Sequence, residues 1–195
     1  MHLEDTGSKM NHSEQYLVEL ALQGDTACSS ELFERWWQRI YGFICRYVGN
    51  PDEAQDLTQD TFAKAYKNLD RLSDPKRFSS WLYTIALNEC RMRFRRWNKI
   101  RLVPLPEEQS EAVPVALRDG EASPEKQLAG KEDIEILKAA FDELPEEQRE
   151  VILMKEYQDL KFHEISEILD IPLSTAKSRL YLGLKTLRKL MENKS

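Results

Sequence analysis

Residues 162–191 constrain the chain more than any other stretch, because they read as two helices joined by a turn of three residues. The first helix is predicted over Phe162–Asp170, the turn is Ile171-Pro172-Leu173, and the second helix opens at Ser174. Pro172 ends the first helix because its ring clashes with the preceding turn, and Ser174 is a ready N-cap for the second. From Ser174 to Met191 the charged residues are Lys177, Arg179, Lys185, Arg188 and Lys189, with no acid among them. A helix that opens on Ser, Thr, Lys, Ser, Arg and Tyr has the side chains needed to read base edges in a major groove. Leu180, Leu184, Leu187 and Met191 recur at helical spacing, so a plain antiparallel helix pair with a solvated basic face also fits.

The net charge of −6 would argue against a polyanionic partner if it were spread evenly. Instead, residues 71–101 hold nine bases against two acids, a local +7, and residues 102–150 hold five bases against fourteen acids, a local −9. Two basic stretches flank an acidic middle, and that asymmetry says more about partners than the sum. Cys28, Cys45 and Cys90 are scattered, with no CxxC and no Cys/His cluster, so neither a zinc site nor any other cofactor is expected. His2 and His12 lie in a polar tail and His163 abuts Glu164; none stands at metal or triad spacing, which argues against a hydrolase. Residues 1–11 lack the apolar core of a signal peptide, and no apolar run approaches the ~20 residues of a membrane span. A reduced, cytoplasmic chain is the expectation.

Helix follows helix along the chain, without strand-like alternation. Ser13 caps a first helix ending at Gln23-Gly24, and a second runs from about Ser30 to Val48 and stops at Gly49. Leu32, Phe33, Trp36, Trp37, Ile40, Phe43, Ile44 and Tyr47 give the second helix a broad apolar face, suited to a core or to a partner. Asn50-Pro51-Asp52-Glu53 combines an N-cap, Pro at the first helical position and acid in the first turn, so a third helix runs from there to Leu69. After the Ser73-Asp74-Pro75 turn, a fourth helix carries Trp81 to Trp97, where arginines interleave with aromatics. Cations that track phosphates and aromatic faces that stack on unpaired bases suit single-stranded nucleic acid; a packed Trp and Tyr beside a solvated Arg-rich helix end fit equally. Pro104, Pro106, Pro114 and Pro124 break any helix in the acidic stretch that follows. Ser123-Pro124-Glu125 starts a helix to Glu143, and Leu144-Pro145 starts another over residues 146–157. The prediction is an all-α protein: residues 13–98 form one small helical domain, 99–130 an acidic, Pro-containing linker, and 131–195 a second domain with the helix-turn-helix.

Four segments, in order, resemble the extracytoplasmic-function sigma factors, the small two-domain initiation subunits of bacterial RNA polymerase. The segment from Asp52 to Phe62 is similar to the family's D-A-E-D-L-x-Q-E-x-F, and Phe78 to Asn88 to its F-x-x-W-L-Y-x-I-A-x-N. Leu144-Pro145 with Arg149 matches L-P-x-x-x-R, and Glu164 to Leu180 fits E-I-(x)5-I-P-x-G-T-V-K-S-R-L. Together the segments span about Glu31 to Leu190.

The resemblance implies that Asp52, Glu53, Asp56, Leu57, Gln59, Asp60 and Phe62 dock on the clamp helices of the largest polymerase subunit. It implies that Lys76, Arg77, Phe78, Ser79, Ser80, Trp81, Tyr83, Asn88, Arg91, Arg95 and Arg96 recognise and melt the −10 element and hold the non-template strand. It assigns the −35 element to Ser174, Thr175, Lys177, Ser178, Arg179, Tyr181 and Lys185. It also implies an anti-sigma partner and no catalytic residue. The chain departs from the pattern at Gln55, where an acid is usual, at Met92, where Asp is frequent, and at Ser174, where Gly is common. Leu182 and Leu184 replace frequent arginines, which leaves more of the contact to Lys177, Arg179 and Lys185. The competing reading is a self-sufficient helix-turn-helix regulator, which would bind duplex DNA without polymerase and leave the basic-aromatic segment unexplained.

Overall fold

The computed structural model describes residues 13–101 and 136–194, and every regular element among them is helical. Four helices form the N-terminal body. α1 (Glu14–Leu22) is capped by Ser13, whose hydroxyl accepts from the Tyr16 N–H. α2 (Thr26–Val48) begins four residues before the expected Ser30, because the Asp25 carboxylate accepts from the Cys28 N–H at 2.9 Å and starts the helix there. It ends where Gly49 takes a left-handed φ of 74°, returning its N–H to the Cys45 carbonyl. α3 (Pro51–Lys67) opens on the Asn50 side chain, which accepts from the N–H groups of both Asp52 and Glu53. Two single 3-10 turns, Leu69–Arg71 and Pro75–Arg77, lead into α4 (Phe78–Arg101).

The apolar face of α2 forms the core, the first of the two roles the sequence left open for it. Leu32, Trp36, Ile40, Phe43 and Ile44 are buried against Leu17 and Val18 of α1 and Leu82, Tyr83 and Ala86 of α4. Trp36 meets Phe78 and Tyr83 edge-on, with ring centroids 5.8 and 6.0 Å apart.

In the C-terminal body, residues 136–142 are helical and are called α5. α6 (Glu146–Ile152) runs on into a π-helical turn over Leu153–Tyr157, so the expected 146–157 helix is present but loosens in its last turn. α7 (Phe162–Leu169) and α8 (Leu173–Glu192) form the helix-turn-helix. Between them Asp170 adopts φ 52°, and Ser166 fixes the turn by donating its hydroxyl to the Ile171 carbonyl. Ser174 is not the cap: the N-cap is Pro172, two residues earlier, and no side chain caps α8. Gly183 brings α8 close to α6; a Cβ there would lie 2.9 Å from the Ile152 Cδ1 and 3.1 Å from the Gln148 Cβ.

The two bodies share one contiguous apolar cluster, with α7 packed on α4 and the π turn on α2. The predicted linker (99–130) and the start of the second domain lie outside the described residues, except that α4 continues through Arg101.

Candidate nucleic-acid interface

α8 buries Ala176, Leu180 and Gly183 and so turns the opposite face to solvent. On that face Ser174, Lys177, Ser178, Tyr181 and Lys185 are all exposed, Tyr181 at 67%. Ser174, Ser178, Tyr181 and Lys185 are spaced by three or four residues and so lie in one stripe, with Lys177 one turn before Tyr181 beside them. Ser178 donates to the Ser174 carbonyl at 2.9 Å, and the Lys177 ammonium lies 5.8 Å from the Phe162 ring of α7. Thr175 is half-buried beside the stripe. Arg179 points elsewhere: its guanidinium pairs with Glu147 of α6 at 2.7 Å. That pairing turns a predicted reader into a group already holding an acid.

The second basic surface surrounds the start of α4. Asp74 accepts from the Lys76 N–H and sets the turn that presents Lys76 and Arg77 to solvent. Beside them lies a cavity of about 230 Å³ lined by Arg71, Ser73, Arg77, Ser80, Trp81 and Thr84, with Glu167 of α7 at its rim. Arg71, Ser73 and Thr84 were not among the expected residues; their clustering needs the 3-10 turns to fold the loop back over α4. Ser79 and Trp81 are half-buried, while Asn88, Arg95 and Arg96 are exposed further along α4.

Phe78 and Tyr83 require a correction. Phe78 is only 1% exposed, packed against Trp36 and Trp81, and Tyr83 is buried with its hydroxyl donating to the Gln158 side chain at 2.8 Å. Neither ring is free to stack on a base; they shape the loop from beneath. Burial pushes the Tyr83 hydroxyl well above the usual phenol range. Arg91 is likewise engaged, donating to both carboxylate oxygens of Glu150 at 2.7 Å, and those hydrogen bonds hold its charge more firmly than usual.

The acidic surface is on α3. Asp52, Asp56, Gln59 and Asp60 are exposed at helical spacing on one face. Glu53 is paired with Arg93 of α4, so its charge is partly neutralised. Leu57 and Phe62 are buried; Phe62 stacks on Trp37 with centroids 5.3 Å apart. Tyr66, which the sequence reading passed over, continues the acidic face and is 56% exposed. The only sequence cue to it was its helical register with Asp52, Asp56 and Gln59.

Among the described residues no group of His, Cys, Asp and Glu could hold a metal ion, and no helix is long and apolar enough to cross a membrane.

Two family models match this framework: Sigma-70 region 2 over residues 32–100, and Sigma-70, region 4 over residues 134–187. The chain is 30% identical to the ECF RNA polymerase sigma factor SigW of Bacillus subtilis, over 88% of this chain and 92% of the relative. It is also 30% identical to the ECF RNA polymerase sigma-E factor of Escherichia coli, over 93% of this chain and 94% of the relative. The fold is similar to that of CnrH, solved in complex with the cytosolic domain of CnrY, at a TM-score of 0.68 and 22% identity over 93% of this chain and 99% of that one. It is similar to RpoE of Bartonella quintana, solved with the anti-sigma factor NepR, at a TM-score of 0.62 and 20% identity over 84% of this chain and 96% of that one. An identity of 30% over nearly the full length of both relatives, with both sigma regions in order, shows that the chain belongs to the extracytoplasmic-function sigma factors of bacterial RNA polymerase.

Proposed function

We propose that this alternative sigma factor divides transcription initiation among the three surfaces described above. The exposed face of α3, Asp52, Asp56, Gln59, Asp60 and Tyr66, docks core polymerase at the clamp helices of its largest subunit. The stripe on α8, led by Lys177, Ser178 and Tyr181, reads the −35 element, with Lys185 further along on phosphate. The loop and first turns of α4 hold the melted −10 strand. The cavity of about 230 Å³ beside Trp81 is below the ~300–1,000 Å³ of a drug-sized site and suits one small planar group. An unpaired base between the Trp81 ring and the Arg71 and Arg77 guanidinium groups meets both needs of strand capture, a stacking face and cations. Binding free energy drives strand opening, so no catalytic side chain is required. The site of action is the cytoplasm, where polymerase and chromosome meet. CnrH and RpoE were each solved with a partner protein; an anti-sigma antagonist is proposed for this chain too.

The observation that carries this reading is the exposed Lys177-Ser178-Tyr181 stripe, held outward by burial of the opposite face of α8. Run-off transcription with purified core polymerase on a genomic promoter library tests it. Transcripts that start at a shared promoter sequence only when the chain is added are expected; a duplex affinity that core polymerase does not alter would favour the self-sufficient regulator.

A further inference from the structure

We propose that Leu182 is a specificity residue of this chain, packing on the C5-methyl of a thymine so that a T·A pair is selected where α8 carries that side chain. The inference rests on the assignment of the exposed face of α8 to the −35 element. It begins with two exposed apolar residues side by side, Tyr181 at 67% and Leu182 at 56%. Leu180, Leu187 and Leu190 of the same helix join the core or pack against it. Leu182 lies away from them, one turn after Ser178.

A lone exposed leucine is ordinary on a protein surface. This one is set in a face with the chemistry of a polyanion's partner. Lys177, Lys185 and Lys189 are exposed around it, and α8 carries no acid before Glu192. Cations there hold phosphates, and the side chains between them meet base edges. Of the groups that base pairs show in the major groove, the thymine methyl alone is apolar. Any other edge would set a hydrogen-bonding group against an alkyl chain and leave it unpaired, at a cost in affinity. Ser178 narrows the choice in the same direction. Its hydroxyl donates to the Ser174 carbonyl at 2.9 Å, which leaves the oxygen to accept. An acceptor beside an alkyl group complements the amino group of adenine beside the methyl of its paired thymine. Leu184 supplies the contrast. It is 39% exposed but stands two residues on, roughly 200° around the helix and across the stripe from Leu182.

The test uses holoenzyme assembled from purified core polymerase and the full chain, as parent, Leu182→Ala or Leu184→Ala. Selection from a library randomised in the −35 element should give thymine at one position for the parent and for Leu184→Ala. Leu182→Ala should leave that position degenerate. In a duplex of the selected sequence, deoxyuridine in place of that thymine removes the methyl and nothing else. The exchange should weaken parent binding about fourfold, the factor expected for one buried methyl-sized group, and should leave Leu182→Ala binding both duplexes equally. Each comparison is a ratio of two affinities on one protein, so it does not depend on the fraction folded. An equal deoxyuridine penalty in parent and Leu182→Ala would overturn the proposal, and so would a selected element with no thymine that Leu182→Ala relaxes. In either case sequence selection by the holoenzyme leaves the −35 assignment standing. Absence of any sequence selection by the parent would remove that assignment, and the proposal with it.

Discussion

Lys177 and Arg179 stand two residues apart on α8 but meet different surroundings, and this decides what each can do. Lys177 is exposed over the Phe162 ring, whereas the Arg179 guanidinium holds Glu147 at 2.7 Å. Lys177→Ala should therefore cost about 1–3 kcal/mol on the preferred −35 sequence and relax discrimination at one or two positions, as loss of a base contact does. Arg179→Ala should act first on the support of α8 by α6, with a stability loss of about 1 kcal/mol or less, since Glu147 is largely solvated. Holoenzyme binding to a randomised −35 library reads the first effect and thermal unfolding the second. Equal loss on every sequence for Lys177→Ala would make it a phosphate contact. The same distinction between type and direction separates Phe78 and Tyr83 from Trp81. All three are aromatics among cations in the sequence, but Phe78, Leu82 and Ala86 follow the buried face of α4 while Trp81 leaves it. Residue type put the whole segment at a nucleic-acid surface; only packing says which rings face it.

Elements bounded by local chemistry were legible in the sequence. Ser13, Gly49 and Asn50-Pro51 set the ends of α1, α2 and α3 because each satisfies backbone groups within four residues of itself. The start of α2 was placed too late because Asp25 lies beyond the aromatic periodicity that defines the helix, and the start of α8 was misassigned because Pro172 and Ser174 compete as its first signal. Loosening of α6 into a π turn has no local mark in the residues; the turn packs on α2. Two predictions belong to this scale. Asp56→Arg should weaken binding to core polymerase in a fluorescence titration while changing stability by no more than about 0.5 kcal/mol, since the side chain is exposed on α3; undiminished affinity would remove α3 from the docking surface. Gly183→Ala should destabilise the C-terminal body by about 1–3 kcal/mol, because its Cβ would meet Ile152 at 2.9 Å. Calorimetric unfolding unchanged by that substitution would mean that α6 and α8 can part without strain.

At the scale of the whole molecule, the all-helical class and the order of the two regions were legible, but the contact between them was not. Glu150 reads as one more acid in an acidic stretch, and Arg91 as one more base in a basic one, 59 residues away. Nothing in periodicity links them; only folding of both bodies does. The role proposed for this chain is to make core polymerase able to recognise and open promoter DNA. Permanganate reactivity of thymines around the −10 element measures opening directly. Reactive thymines are expected only when core polymerase and the chain are both present, with the signal reduced by removing both cations in Lys76→Ala/Arg77→Ala. A promoter that stays paired with both proteins bound, while the chain alone protects the duplex as well as the mixture does, would contradict the account.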